Sequence, residues 1–268
     1  MKVATIQMNS GPDVTNNIGV AGTLLAQAAA AGAVLAVLPE NFAIMGAKEA
    51  DRLAVAESPG AGPIQDAIAE LAQRLSLWIV AGTLPIRGQQ ANRIAPACVV
   101  FDANGKPVAR YDKIHLFDVE VPEKREIYRE SATFEAGKEP ILVETPAGLL
   151  GLSVCYDMRF PELYRQLSAR GATLLAMPAA FTVPTGQAHW EVLLRARAVE
   201  NLCYVLAAAQ WGMHANGRET YGDAMIVDYW GRVLNRRPAG AGVVLAEVDR
   251  AAQAGVRAGF PALKHRVL

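Results

Sequence analysis

Short apolar runs alternate with helix-like segments along this 268-residue chain, and hairpin signals interrupt the alternation. Residues 3–8 read as a strand, 16–31 as an alanine-rich helix, and 33–38 as a second apolar strand ending at Pro39-Glu40-Asn41. Residues 62–76 carry Ile64, Ala67, Ile68 and Leu71 at helical spacing, and 78–83 read as strand again. Residues 93–101 and 107–111 bracket the turn signature Asp102-Ala103-Asn104-Gly105, and 141–144 and 149–154 form a hairpin across Pro146-Ala147-Gly148. A helix over 162–170, a strand over 173–177 ended by Pro178 and a long helix over 189–201 follow. Strands at 204–210, 224–227 and 243–248 complete the series, with a turn at Asp228-Tyr229-Trp230-Gly231. Crossover helices join parallel strands, and hairpins join antiparallel ones. The chain therefore predicts an α/β fold of two mixed sheets packed face to face with helices outside, in preference to one open parallel sheet. No repeat, low-complexity tract or linker divides residues 1–268, so one domain is expected. Residues 113–139 are polar, rich in acids and aromatics, and read as a long excursion or lid.

Composition narrows the function. Hydrophobic residues make up 52% of the chain, which predicts a sizeable core. Lys+Arg and Asp+Glu are both 26, and this balance argues against a nucleic-acid partner. No apolar run reaches the roughly 18 residues that a membrane-spanning helix needs. The start, Met1-Lys2-Val3-Ala4-Thr5-Ile6-Gln7, reads as a first strand and lacks the long apolar stretch of a signal peptide. Cys98, Cys155 and Cys203 are widely spaced and odd in number, which favours reduced thiols and a cytoplasmic location. His115, His189, His214 and His265 have no HExxH spacing, so no metal is expected. Neither a GxxxxGK[ST] loop nor a GxGxxG fingerprint occurs, so no cofactor is expected.

Three chemistry-bearing residues stand where apolar strands end. Glu40 follows Val34-Leu35-Ala36-Val37-Leu38-Pro39, Lys113 follows the strand through Tyr111, and Cys155 follows Leu149-Leu150-Gly151-Leu152-Ser153-Val154. A sheet rim holds the backbone rigid while the side chain projects. Singly, each has an ordinary reading: a small core cysteine, a capping glutamate, a solvated lysine. Together they suffice for acyl transfer. A thiol with an ordinary pKa of about 8.5 needs a base, which a desolvated carboxylate with a raised pKa supplies. An ammonium stabilises the oxyanion, and a backbone amide after the nucleophile assists it.

The segments Leu38-Pro39-Glu40-Asn41, Tyr111-Asp112-Lys113-Ile114-His115-Leu116-Phe117-Asp118 and Gly151-Leu152-Ser153-Val154-Cys155-Tyr156-Asp157-Met158-Arg159-Phe160-Pro161-Glu162-Leu163 resemble the nitrilase superfamily of carbon–nitrogen hydrolases. The resemblance spans essentially the whole chain. It implies a four-layer α-β-β-α sandwich and pairing into a homodimer or higher oligomer. It also implies Glu40 as general base, Lys113 as oxyanion stabiliser and Cys155 as nucleophile. A second pocket glutamate is matched by Glu130, although Glu120, Glu123, Glu126 and Glu135 lie close by and a solvated acidic loop is the alternative.

The stretch from Phe181 to Glu191, with Leu194-Arg195-Ala196-Arg197-Ala198, resembles the branch that contains deaminated glutathione amidase and ω-amidase. Ala207-Ala208-Ala209-Gln210-Trp211-Gly212 leans toward the first of these, and α-ketoglutaramate hydrolysis, nitrilase or N-carbamoyl hydrolase activity are the alternatives. An inactive scaffold of the same fold is the non-enzymatic alternative. The branch acts on small amides that carry a carboxylate, so the pocket needs a cation. Arg159 is the candidate, with pairing to Glu162 or Asp157 as the structural alternative. The Tyr156 amide and Thr185 are further candidates for substrate contact. Arg195, Arg197 and His189 read as structural.

Overall fold

The computed structural model describes residues 1–48, 50–90, 92–121 and 126–267. Its first half runs β1 (Lys2–Met8), α1 (Val14–Ala30), β2 (Ala33–Val37), the short α2 (Ala50–Ala54), α3 (Pro63–Leu75), β3 (Trp78–Arg87), β4 (Ile94–Phe101) and β5 (Pro107–Asp112). A two-stranded arm follows, β6 (Asp118–Val121) and β7 (Glu126–Arg129). The second half runs β8 (Leu142–Thr145), β9 (Gly148–Leu152), α4 (Pro161–Ala169), β10 (Leu174–Ala179), α5 (Val183–Asn201), β11 (Tyr204–Met213), β12 (Glu219–Tyr221), β13 (Ala224–Val227) and β14 (Val233–Arg237). The chain then returns to the first half with β15 (Gly242–Glu247) and closes with α6 (Arg250–Gly259).

Two mixed sheets result. In the first, the order is β5-β4-β3-β2-β1-β15, with β1, β2 and β3 parallel and the outer pairs antiparallel. In the second, β8-β9-β10-β11-β13-β14 repeats the plan around parallel β9, β10 and β11, and β12 pairs with the end of β11. The sheets are continuous at a seam of two pairs, Gln7 with Ala209 and Met8 with Gln210.

Side-chain alternation explains the layering. On β4, Ala97, Val99 and Phe101 pack toward α1 and α3 with Leu25, Ile64 and Ile68, whereas Cys98 and Val100 pack toward the second sheet. Leu35, Val37 and Val80 share that inner face with Leu150, Leu152 and Leu174. Leu163, Leu167, Trp190 and Leu194 from α4 and α5 cover the far side of the second sheet. The expected α-β-β-α sandwich is the observed one.

Details depart from the sequence reading for local reasons. Helix α5 begins at Val183, not 189, because Thr182 is extended and Pro184 is tolerated in a first turn, where its missing N–H costs nothing. Pro178 does not end β10. Pairing of β10 with β9 stops at Ala176, so Pro178 lies where one strand edge is already unpaired. Strand β3 runs past 83 to Arg87 through a register shift between Ala81 and Leu84. Within the 113–139 excursion, β6 and β7 pair as a two-stranded arm.

Candidate active site

The β3 irregularity positions Glu40. Beyond β2, the Leu38 N–H donates to the Val80 carbonyl, and the chain crosses so close to β3 that a Cβ on Gly82 would stand 1.9 Å from the Pro39 oxygen. Only glycine permits that crossing. Asn41 follows with φ +57°, and its N–H donates to Thr83 Oγ1 at 2.8 Å. Gln210, at the seam, donates to the Glu40 carbonyl at 3.1 Å and to Ser10 Oγ at 2.8 Å.

Lys113 leaves the end of β5 and is fully buried. Its Nζ donates to Glu40 Oε1 at 2.9 Å and to Glu130 Oε2 at 2.8 Å. Glu130, in a short turn after β7, also accepts the Phe117 N–H at 2.8 Å. Of the neighbouring acids, Glu135 instead accepts from the Gln89 and Gln90 amides, Glu120 is exposed, and Glu123 lies outside the described residues. Cys155 heads a 3₁₀ turn, Cys155–Arg159, with φ +49°. Left-handed backbone at a non-glycine residue costs about 1–2 kcal/mol, and such strain concentrates at functional sites. Cys155 and Glu40 line the same cleft, close enough for each to act on the other's ionisation.

Asp157 ties these pieces together. Fully buried, its Oδ2 accepts the Tyr111 hydroxyl at 2.7 Å and the Val154 N–H at 2.8 Å. Its Oδ1 accepts the His115 N–H at 3.1 Å and His115 Nδ1 at 2.7 Å. One carboxylate therefore fixes both the residue before the thiol and the residues on either side of Lys113. Arg197 adds a brace from α5, donating from Nε to the Met158 carbonyl at 2.9 Å.

The electrostatics follow from burial and proximity. Burial pushes the Glu40 carboxyl up, but Lys113, the Cys155 thiol and Arg218 together hold it below its ordinary 4.5. The sequence reading expected a raised base, and the surrounding cations reverse that. Burial and Glu40 push the Cys155 thiol well above 9.0, against the pull of Lys113 and the Ala180 amide. Burial favours a neutral Lys113, but Glu130 and Glu40 outweigh it and keep the ammonium charged. The resting cluster is thus a neutral thiol, an ionised carboxylate and an ammonium. The other thiols are core: Cys98 packs between the sheets with its pKa raised by burial, and Cys203, beside Arg257, is pushed up to about 12.

A narrow cleft opens onto this cluster, lined by Glu40, Glu130, Cys155, Phe117, Tyr156, Arg159, Ala180, Phe181, Thr182, Thr185 and Arg218. Every sequence-predicted site residue thus reaches one site. Arg159 makes no ion pair with Glu162 or Asp157. It donates to His189 Nδ1 at 3.2 Å and lies over the Tyr156 and Phe181 rings. Thr185 hydrogen-bonds Thr182 through their hydroxyls at 2.8 Å. Arg195 bonds Glu191 and the Gly231 carbonyl, as its structural reading expected. The sequence reading missed Arg218 and Gln210, and weighed Asp157 only as a partner for Arg159. Among the described residues, no group of three or more His, Cys, Asp and Glu is arranged to hold a metal ion.

A thiol and a carboxylate in one cleft, with an ammonium between that carboxylate and a second, form a site for covalent acyl transfer. The carbon–nitrogen hydrolase family model matches residues 2–258. The chain belongs to this family, and is an enzyme that hydrolyses amide carbon–nitrogen bonds. It is 44% identical to the deaminated glutathione amidase of Synechocystis sp., over 98% of this chain and 97% of that one. It is 42% identical to the Homo sapiens deaminated glutathione amidase, over 98% and 81%. The crystal structure of the C. elegans NitFhit protein superposes with a TM-score of 0.91 at 38% identity, covering 99% of this chain and 65% of that longer one.

Proposed function

We propose that this enzyme hydrolyses deaminated glutathione to 2-oxoglutarate and cysteinylglycine through a cysteine thioester. The observation that carries this reading is one cleft lined by Cys155 and Glu40, with Lys113 on Glu40 and with Arg159 free of any acid partner among the described residues. Glu40 takes the thiol proton as sulfur attacks the amide carbon. With the thiol pKa raised and the Glu40 pKa lowered, thiolate does not accumulate at rest, and the proton moves as the carbon–sulfur bond forms. The Lys113 ammonium and the Tyr156 amide stabilise the oxyanion. Glu40 then returns its proton to the leaving amine, and the acyl group stays on sulfur. Water, deprotonated by Glu40, attacks the thioester, and the thiol departs with that proton. Glu130 holds Lys113 in place. Arg159 grips the 2-oxo acid carboxylate, and Thr185 borders the acyl group.

The test is a comparison of kcat/KM on deaminated glutathione, α-ketoglutaramate, a nitrile and an N-carbamoyl amino acid. Deaminated glutathione should lead each of the others by about tenfold or more, the scale that a few pocket contacts provide. A nitrile or carbamoyl substrate turned over fastest would sink the reading.

We also propose a homodimer or higher oligomer. Val192 and Val199 on α5 are exposed, and so are Trp230 and Phe260, which stack edge to face at 5.6 Å. Light scattering should return a multiple of the 28.6 kDa chain mass; a stable monomer overturns this.

A further inference from the structure

Arg218 lines the same cleft as Arg159 and the nucleophile. It follows the turn that ends β11, lies over the Tyr128 ring of the β6–β7 arm at 5.2 Å, and donates from Nη2 to the Ala180 carbonyl. No carboxylate of the described residues pairs with it. Its Nε is buried without a partner among the described residues, an arrangement that costs free energy unless a ligand uses the group. Glu40 and Glu130 outnumber Lys113, so the catalytic cluster alone repels anions, and Arg159 with Arg218 reverses that sign.

The two arginines are held by different neighbours. Arg159 rests on Tyr156 and Phe181, next to the nucleophile. Arg218 is held against the Tyr128 ring and the Ala180 carbonyl and lines the cleft together with Glu40, the group that hands a proton to the departing amine. We propose that Arg218 binds a carboxylate on the leaving group while Arg159 binds the one on the acyl group, so the enzyme selects amides that are anionic on both sides of the scissile bond. This rests on the substrate reading above. Deaminated glutathione has that form: a 2-oxo acid on the acyl side and, about 7 Å along an extended dipeptide, the glycine carboxylate. α-Ketoglutaramate has the acyl carboxylate only.

The experiment compares deaminated glutathione with its C-terminal carboxamide, using the full chain. The wild type should favour the acid by about tenfold or more in kcat/KM, mostly through KM, as loss of a charge-assisted hydrogen-bond pair implies. Arg218→Gln should collapse that ratio to about one, and Arg218→Lys should keep part of it, since an ammonium lacks the bidentate fork. A wild type that treats acid and carboxamide alike overturns the anchor without needing any variant to fold. So does an Arg218→Gln enzyme that loses the same factor on both. A wild type inactive on both of these and on α-ketoglutaramate overturns instead the substrate reading on which the anchor rests.

Discussion

Cys155→Ala should lose at least about 10⁴-fold in kcat while keeping its fold, because removal of a catalytic nucleophile abolishes the covalent route. The substitution is a clean one. Alanine retains the Cβ, so the cost of φ +49° is the same in both proteins, and Glu40 keeps Lys113 when the thiol is gone. The thermal midpoint and circular dichroism should stay close to wild type. Intact mass after rapid acid quench should show one acyl group on the wild type and none on the variant. A variant within tenfold of wild-type turnover would remove Cys155 from the mechanism.

Lys113→Met combines a catalytic loss with a loss of stability. The ammonium is the only cation within hydrogen-bonding distance of the Glu40 and Glu130 carboxylates among the described residues. Losing an oxyanion donor typically costs about 10²–10³ in rate. Breaking a buried ion pair from one side costs about 3–5 kcal/mol, and here two carboxylates lose their partner. The pH dependence distinguishes this from a packing defect. In the wild type, the folded Glu40 carboxyl titrates below 4.5, so its contribution is present above that value and fades as pH falls. In the variant, burial acts without Lys113 and raises the folded pKa above 4.5. The penalty is then absent at acid pH and grows as pH rises through that raised value. Denaturant melts at about pH 5 and pH 7.5 should therefore bring the variant nearest to wild type at the lower pH. Equal destabilisation at both would assign the effect to packing.

Much of the site was legible because strand ends are legible. Glu40, Lys113 and Cys155 each follow an apolar run, and a run that stops at a polar residue marks a sheet rim. Asp157 was visible two residues past the thiol, but its role depends on Tyr111 on β5 and His115 just beyond it, more than forty residues away. No local pattern encodes such a contact. Arg218 lies just past a polar Asn216-Gly217 turn, where a sequence reading sees solvent, and only the fold brings it over Tyr128. The early start of α5 was hidden by Pro184, which normally argues against helix and is permitted only in a first turn. The raised base pKa was expected from burial alone. The depressed one required knowing that Arg218 and Lys113 both approach Glu40.

The division of labour between the sheets has a consequence for the order of events during folding. Glu40 and Lys113 extend from the first sheet, and Cys155 extends from the second. The first sheet is finished only by β15, which the chain supplies after the whole second sheet has been made. The base and the ammonium therefore meet the thiol only across the docked layers, and a chain with one layer formed has no catalytic cluster.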